Sequence, residues 1–142
     1  MVKQLSVFIQ NRAGKIASIV KALSYAGIDI RALSIADTAD FGILRMLVSD
    51  IEAAKTALSA QNCIVSVNDV ALIAVPDEPG GLSHILQLMT GEGVDIEYMY
   101  SLIQRNKDKA YMVLRISDEA KLLHILEHHH MEAVSAESLG FL

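Results

Sequence analysis

Ile16, Ile19, Val20 and Leu23 recur 66 residues later as Leu82, Ile85, Leu86 and Met89, apolar for apolar and in the same order. Around them Gly14 matches Gly80, Gly27 matches Gly93, Ile28 matches Val94, Asp29 matches Asp95 and Ile30 matches Ile96. An offset held across a loop, a helix and the next strand means that one structural unit is written twice, and it directs attention to the places where the two copies agree. The expected units are residues 1–69 and 70–142. Each is near the lower size limit for a self-sufficient core of about 60 residues, so the copies are expected to pack closely, without a flexible linker.

Within the first unit, Leu5, Val7 and Ile9 alternate with Gln4, Ser6 and Gln10, the period of a strand with one face buried; Phe8 breaks the polar face. The loop Gln10-Asn11-Arg12-Ala13-Gly14 leads into a helix with apolar residues at i, i+3, i+4 and i+7, closed by Gly27. Strands are predicted over 28–36 and 41–49, a helix over 51–61 capped by Asp50, and a fourth strand over 63–67. The second unit repeats the order, with helices over 82–92 and 118–129, strands over 94–103 and at Tyr111 and Val113, and a final strand over 131–136. Only Asn68-Asp69 interrupts the apolar run from Ile64 to Val75. The result is α+β: two tandem βαββαβ units, each a ferredoxin-like antiparallel sheet with both helices on one face. On the other face Phe41, Ile43, Leu47, Tyr111 and Val113 are apolar where water would favour polar residues. A cover is therefore expected, most simply a second copy of the chain, which makes a homodimer.

Several functions are excluded or disfavoured. Twelve basic against seventeen acidic residues leave a net charge of −5 with no basic cluster, which argues against a nucleic-acid partner. No apolar stretch approaches membrane-spanning length, and the first residues lack a signal-like segment; the reading is a cytoplasmic protein with no membrane partner. The single cysteine, Cys63, sits in an apolar run and reads as a buried thiol. There is no G-x-S-x-G, no P-loop, no C-x-x-C and no H-E-x-x-H motif, and Ser83 and His84 are helix neighbours whose side chains diverge. The chain is read as no enzyme, with no cofactor.

His124 and His128 stand at i, i+4, a spacing able to hold zinc, with His129, His130, Glu127 and Glu132 nearby. The alternative is a solvated helix end whose imidazoles lie near the negative end of the dipole. The first unit has no histidine in its equivalent helix, which favours the second reading.

The loops Asn11-Arg12-Ala13-Gly14 and Asp77-Glu78-Pro79-Gly80 each join a strand to a helix, with glycine at the first turn. Unpaired N–H groups and the positive end of the helix dipole suit a carboxylate there, while Asn11, Asp77, Asp29 and Asp95 offer acceptors for an ammonium. Such parts complement a free α-amino acid. Equally, the same residues can serve only to cap helices and turn the chain.

Tandem βαββαβ units with these N/D-x-[P/A]-G loops and the Gly27-Ile28-Asp29-Ile30 and Gly93-Val94-Asp95-Ile96 segments resemble the ACT domain, over essentially the whole chain. The stretch Arg31–Arg45 resembles the first repeat of free-standing tandem ACT proteins, which carry no attached enzyme. The resemblance implies a non-catalytic regulatory protein that binds a free amino acid where ACT units pair, and acts on a regulated partner protein not identified by the sequence. It places Asn11, Ala13, Gly14, Lys15 and Ile16 opposite Asp95 and Ile96 in one site. Asp77, Pro79, Gly80, Gly81 and Leu82 stand opposite Asp29 and Ile30 in the other. Ala13 replaces the usual proline, and Asp77 with Asp29 would gather two acids, so the site of Asn11 and Asp95 is expected to be the better one for a zwitterion. The rival readings are a metal-responsive protein using His124 and His128, and an assembly module that binds nothing. Tyr98, Met99 and Tyr100 fit either a pocket lining or sheet packing.

Overall fold

In the computed structural model the described residues are 1–10, 12–38, 40–104, 106 and 108–140, with the side chain of Leu139 left aside. The elements are β1 (Val2–Gln10), α1 (Lys15–Tyr25), β2 (Ile30–Asp37), β3 (Phe41–Val48), α2 (Ile51–Ser59), β4 (Ile64–Pro76), α3 (Gly81–Gly91), β5 (Ile96–Ser101), β6 (Lys109–Ile116) and α4 (Glu119–His128). The chain divides into two compact units, Lys3–Asn68 and Asp69–Leu139 together with Met1–Val2.

In the first unit the strand order is β2-β3-β1-β4, with β3 antiparallel to both β2 and β1. Leu5, Val7 and Ile9 of β1 and Leu44, Met46 and Val48 of β3 meet Ile19 and Leu23 of α1 and Ala54 and Leu58 of α2 in one core. The second unit has the order β4-β6-β5, with Ala71, Ile73, Val75, Leu114 and Ile116 packed against Ile85 and Met89 of α3 and Leu122, Ile125 and Leu126 of α4. Each core is therefore the inward set of one repeat. Of the apolar helical stripes, only Ile19, Leu23, Ile85 and Met89 are fully buried, and Ile16, Val20, Leu82 and Leu86 remain partly accessible.

The helix ends are set by local chemistry. Asp50 and Asp118 cap α2 and α4, accepting from the N–H groups of Ala53 (2.9 Å) and Lys121 (3.0 Å). After α1, Gly27 N–H donates to Ser24 O and Ile28 N–H to Leu23 O, the paired bonds of a Schellman motif; Gly93 and Val94 repeat them after α3. After α2 and α4 the left-handed residue is not glycine but Asn62 (φ 59°) and His130 (φ 53°).

Several expectations need correction. β4 is one continuous strand through Asn68-Asp69, with no break. The last predicted strand, 131–136, is reduced to one bridge between Ile73 and Ala133, flanked by Ala74 N–H to Glu132 O and Val134 N–H to Leu72 O, and followed by a 3-10 turn at Glu137–Leu139. Gln4 and Ser6, read as a water-facing row, are buried: Gln4 Nε2 donates to Ser6 Oγ (3.2 Å), whose hydroxyl donates to Asn68 Oδ1 (3.1 Å). A buried polar row persists because it is hydrogen-bonded. Leu47, Tyr111 and Val113 are likewise buried within a single chain, so their apolar character does not by itself require a second copy, whereas Phe41 stays exposed. Cys63 is half-buried rather than enclosed.

One position is set by close approach of backbone. A Cβ on Gly81 would lie 2.2 Å from the Pro76 carbonyl oxygen, whereas at Gly91 nothing stands within 4 Å. Gly81→Ala is expected to destabilise the protein by about 2 kcal/mol or more, and Gly91→Ala to leave stability unchanged or raise it by about 0.5 kcal/mol; urea denaturation of the two variants checks the contrast.

Candidate functional site

Both strand-to-helix corners have the same backbone. Gly14 (φ 80°) and Gly80 (φ 88°) are the N-cap residues of α1 and α3, in left-handed geometry and without a side chain to cap the helix. Lys15 N–H returns to Arg12 O and Ser18 N–H to Gly14 O; Gly81 N–H and His84 N–H do the same to Glu78 O and Gly80 O. Among the described residues, the N–H groups of Ile16, Ala17, Leu82 and Ser83 have no backbone acceptor. Two donors at the positive end of a helix dipole can receive an anion. Asn11 lies outside the described residues.

The second part of the expected site is at the far end of each first helix. α1 has 11 residues, about 16 Å at 1.5 Å per residue, and it separates Gly14 from Asp29. The same relation holds for Gly80 and Asp95 across α3, also of 11 residues. No unit by itself therefore brings its loop residues (Ala13, Gly14, Lys15, Ile16 or Asp77, Pro79, Gly80, Gly81, Leu82) together with its own Asp-Ile pair. Asp29 and Ile30 do share a shallow cavity of about 370 Å³ with Val20, Ser24, Gly27 and Ile28.

The two aspartates differ in electrostatics. The Asp29 backbone makes two bonds with Ser49, its N–H donating to Ser49 Oγ at 2.9 Å and its carbonyl accepting from Ser49 N–H at 2.9 Å. Its carboxylate lies 3.2 Å from Arg31 Nη1. Asp29 thus has a cation, Arg31, beside its carboxylate. In the second unit Glu97 stands where Arg31 does and pairs at 3.5 Å with Arg115, while Asp95 is exposed and makes no ion pair among the described residues.

His124 and His128 stack with centroids 6.1 Å apart, and His128 meets His129 edge-on at 5.1 Å. Among the described residues no group of three or more His, Cys, Asp or Glu side chains is arranged to hold a metal ion. Ser83 Oγ accepts from Gln87 Nε2 at 3.1 Å. Met99 packs into the second core and Tyr100 is buried beside Tyr98 on β5, so this segment is sheet packing.

One concavity was missed in the sequence. In the first unit a cavity of about 430 Å³ opens between the end of β1, the start of β3 and the turn before β4, lined by Phe8, Arg12, Lys15, Phe41, Cys63 and Ile64 among others. The second unit has a cavity of about 340 Å³ in the matching place, with Ala74, Lys109, His130 and Glu132 in its lining. Phe8, an apolar residue on a polar row, was the available signal.

The sequence matches the model of the ACT domain pair over residues 1–141. The chain belongs to that family. A crystallised protein from Bacteroides thetaiotaomicron is 38% identical, with a TM-score of 0.89, covering 99% of this chain and 96% of its own. The ligand-free regulatory subunit of aspartate kinase from Thermus thermophilus shares the fold at 16% identity, with a TM-score of 0.65 and coverage of 88% and 90%. The corresponding subunit from Thermus flavus is similar at 14% identity, with a TM-score of 0.58 and coverage of 90% and 92%. No curated protein matches the chain. Among the described residues of this ACT pair, no helix is long and apolar enough to cross a membrane.

In the second unit of the ACT pair, Lys109 Nζ lies 2.6 Å from Glu132 Oε2. That hydrogen bond, with the charge of Glu132, raises the Lys109 pKa above its ordinary value. A raised folded-state pKa stabilises the fold fully below the unfolded lysine value, and the contribution disappears as pH rises through the folded one. Unfolding of the parent and of Glu132→Gln should therefore differ at neutral pH and converge in strong alkali; a difference independent of pH up to that range would contradict the assignment.

Proposed function

We propose that this ACT pair is a non-catalytic regulatory protein, built of ACT units at 1–69 and 70–142, that binds a free amino acid where ACT units pair. The reading extends to a cytoplasmic homodimer acting on a partner protein. The observation that carries it is the duplicated glycine corner, with helix N–H donors for a carboxylate at Ile16 and Ala17 and again at Leu82 and Ser83. Since α1 and α3 hold each corner apart from the aspartate of its own unit, a ligand with both an anionic and a cationic end needs a corner from one unit and a second-strand start from another. Membership of the ACT family and the fold shared with a kinase regulatory subunit support the regulatory role.

The site expected from Asn11, Gly14, Asp95 and Ile96 remains the stronger candidate. Asp95 has a carboxylate not engaged by an ion pair among the described residues, whereas Arg31 already occupies Asp29. Binding would transmit a few kcal/mol of coupling at most, through the stability of the paired state.

Thermal denaturation with each of the twenty amino acids should identify a ligand that raises Tm. At 100 times Kd it adds about 2.7 kcal/mol of stability. In isothermal titration Asn11→Ala and Asp95→Ala should each weaken that ligand by about tenfold, as expected for loss of a bond to a charged group, and Asp77→Ala by less. Equal losses at Asn11 and Asp77 contradict the ranking. An unchanged Tm with all twenty leaves a pure assembly module.

A further inference from the structure

The duplicated cavities at the β1 ends offer an internal comparison, because the two units present different chemistry on the same backbone. Lining residues correspond as Phe8 with Ala74, Phe41 with Lys109 and Ile64 with Glu132, whereas Arg12 and Lys15, which line the first cavity, correspond by sequence offset to Glu78 and Gly81. Even the turn residue in left-handed geometry is matched, Asn62 with His130.

In the second unit the mouth is occupied by the Lys109–Glu132 ion pair. In the first, the same two places are Phe41 and Ile64, exposed by 61% and 70%, beside Phe8 at 48%. Three large apolar side chains so exposed on neighbouring strands are unfavourable unless something covers them. The other wall carries Arg12 and Lys15, neither of which forms an ion pair among the described residues. Among the described residues no Asp or Glu lines this cavity. Its volume, about 430 Å³, is in the range of small-molecule sites.

We propose that this cleft of the first unit binds a small carboxylate with an aromatic or branched apolar body and no ammonium group. The apolar body packs on Phe8, Phe41 and Ile64, and the carboxylate is held by Arg12 and Lys15. Guanidinium and ammonium donors supply charge-assisted hydrogen bonds, and the apolar wall supplies area removed from water. An α-ammonium would meet two cations and no acid, so the free amino acid of the same skeleton is rejected. The site lies wholly within Lys3–Asn68 and does not depend on amino-acid binding where units pair. The second unit, with Glu78 in place of Arg12 and Glu132 in place of Ile64, does not take such a ligand.

The probe pair is 3-phenylpropanoate and L-phenylalanine, which differ only in the α-ammonium, titrated into the full chain. The propanoate should bind one site per chain, at least about tenfold more tightly than phenylalanine, and the double variant Arg12→Gln/Lys15→Gln should weaken it by about twentyfold or more. Phe41→Lys with Ile64→Glu places the second unit's ion pair at the equivalent, exposed positions of the first, so the protein should fold and lose the site. Cys63, half-buried in the lining and the only cysteine, is a second readout: saturating propanoate should slow its alkylation by iodoacetamide. No binding, binding or protection of Cys63 that survives either double variant, or equal affinity for phenylalanine lost in the same variants, overturns the proposal. Phenylalanine binding that persists in Phe41→Lys/Ile64→Glu belongs to the separate amino-acid site and leaves it standing.

Discussion

Each half of this protein depends on a glycine corner that turns a strand into its first helix, and in the second half that corner is also a close approach of backbone. At Gly81 the Pro76 carbonyl stands where a Cβ would be, so strand and helix approach at backbone distance. Gly14 and Gly80 then turn the chain in left-handed geometry and leave the first helical N–H groups without side-chain caps. Fold and anion-receptive corner are thus the same feature: the geometry that aims α1 and α3 at their cores also directs their positive ends outward.

The duplication preserves backbone more strictly than chemistry. Both units keep the Schellman endings of their first helices, the aspartate caps of their second and the left-handed residue that follows. Their charges diverge on this common frame. Arg31 pairs with Asp29, whereas Asp95, with Glu97 in the matching place, has no ion pair among the described residues; a cleft mouth is apolar at Phe41 and Ile64 and ion-paired at Lys109 and Glu132. A duplicated scaffold can change ligand chemistry in one copy at little cost to folding, because these positions lie on the surface rather than among the packed residues of either core.

How much was legible follows from the range of the forces involved. The helices and most strands were readable because periodic burial writes itself into local sequence, as at Ile19, Leu23, Ile85 and Met89. The last strand was not: Met131–Ala136 has the right composition but makes only one bridge, and pairing is decided by what lies alongside. Gln4 and Ser6 look like a solvated row, and their burial rests on a hydrogen bond to Asn68, far away in sequence. The glycine corners were visible as candidates for an anion, but the separation of corner and aspartate by the length of a helix was a matter of geometry.

From sequence alone came the duplication, the βαββαβ order, the glycine corners and the absence of familiar catalytic motifs, since each is encoded in residues a few places apart or at a constant offset. Tertiary structure alone decided that Arg31 reaches Asp29, that Lys109 reaches Glu132, and that Phe8, Phe41 and Ile64 meet Arg12 and Lys15 around one cavity. The reason is physical: a side chain's charge and shape are local properties, but its partner is chosen by strand register and by the direction each helix takes on leaving its corner.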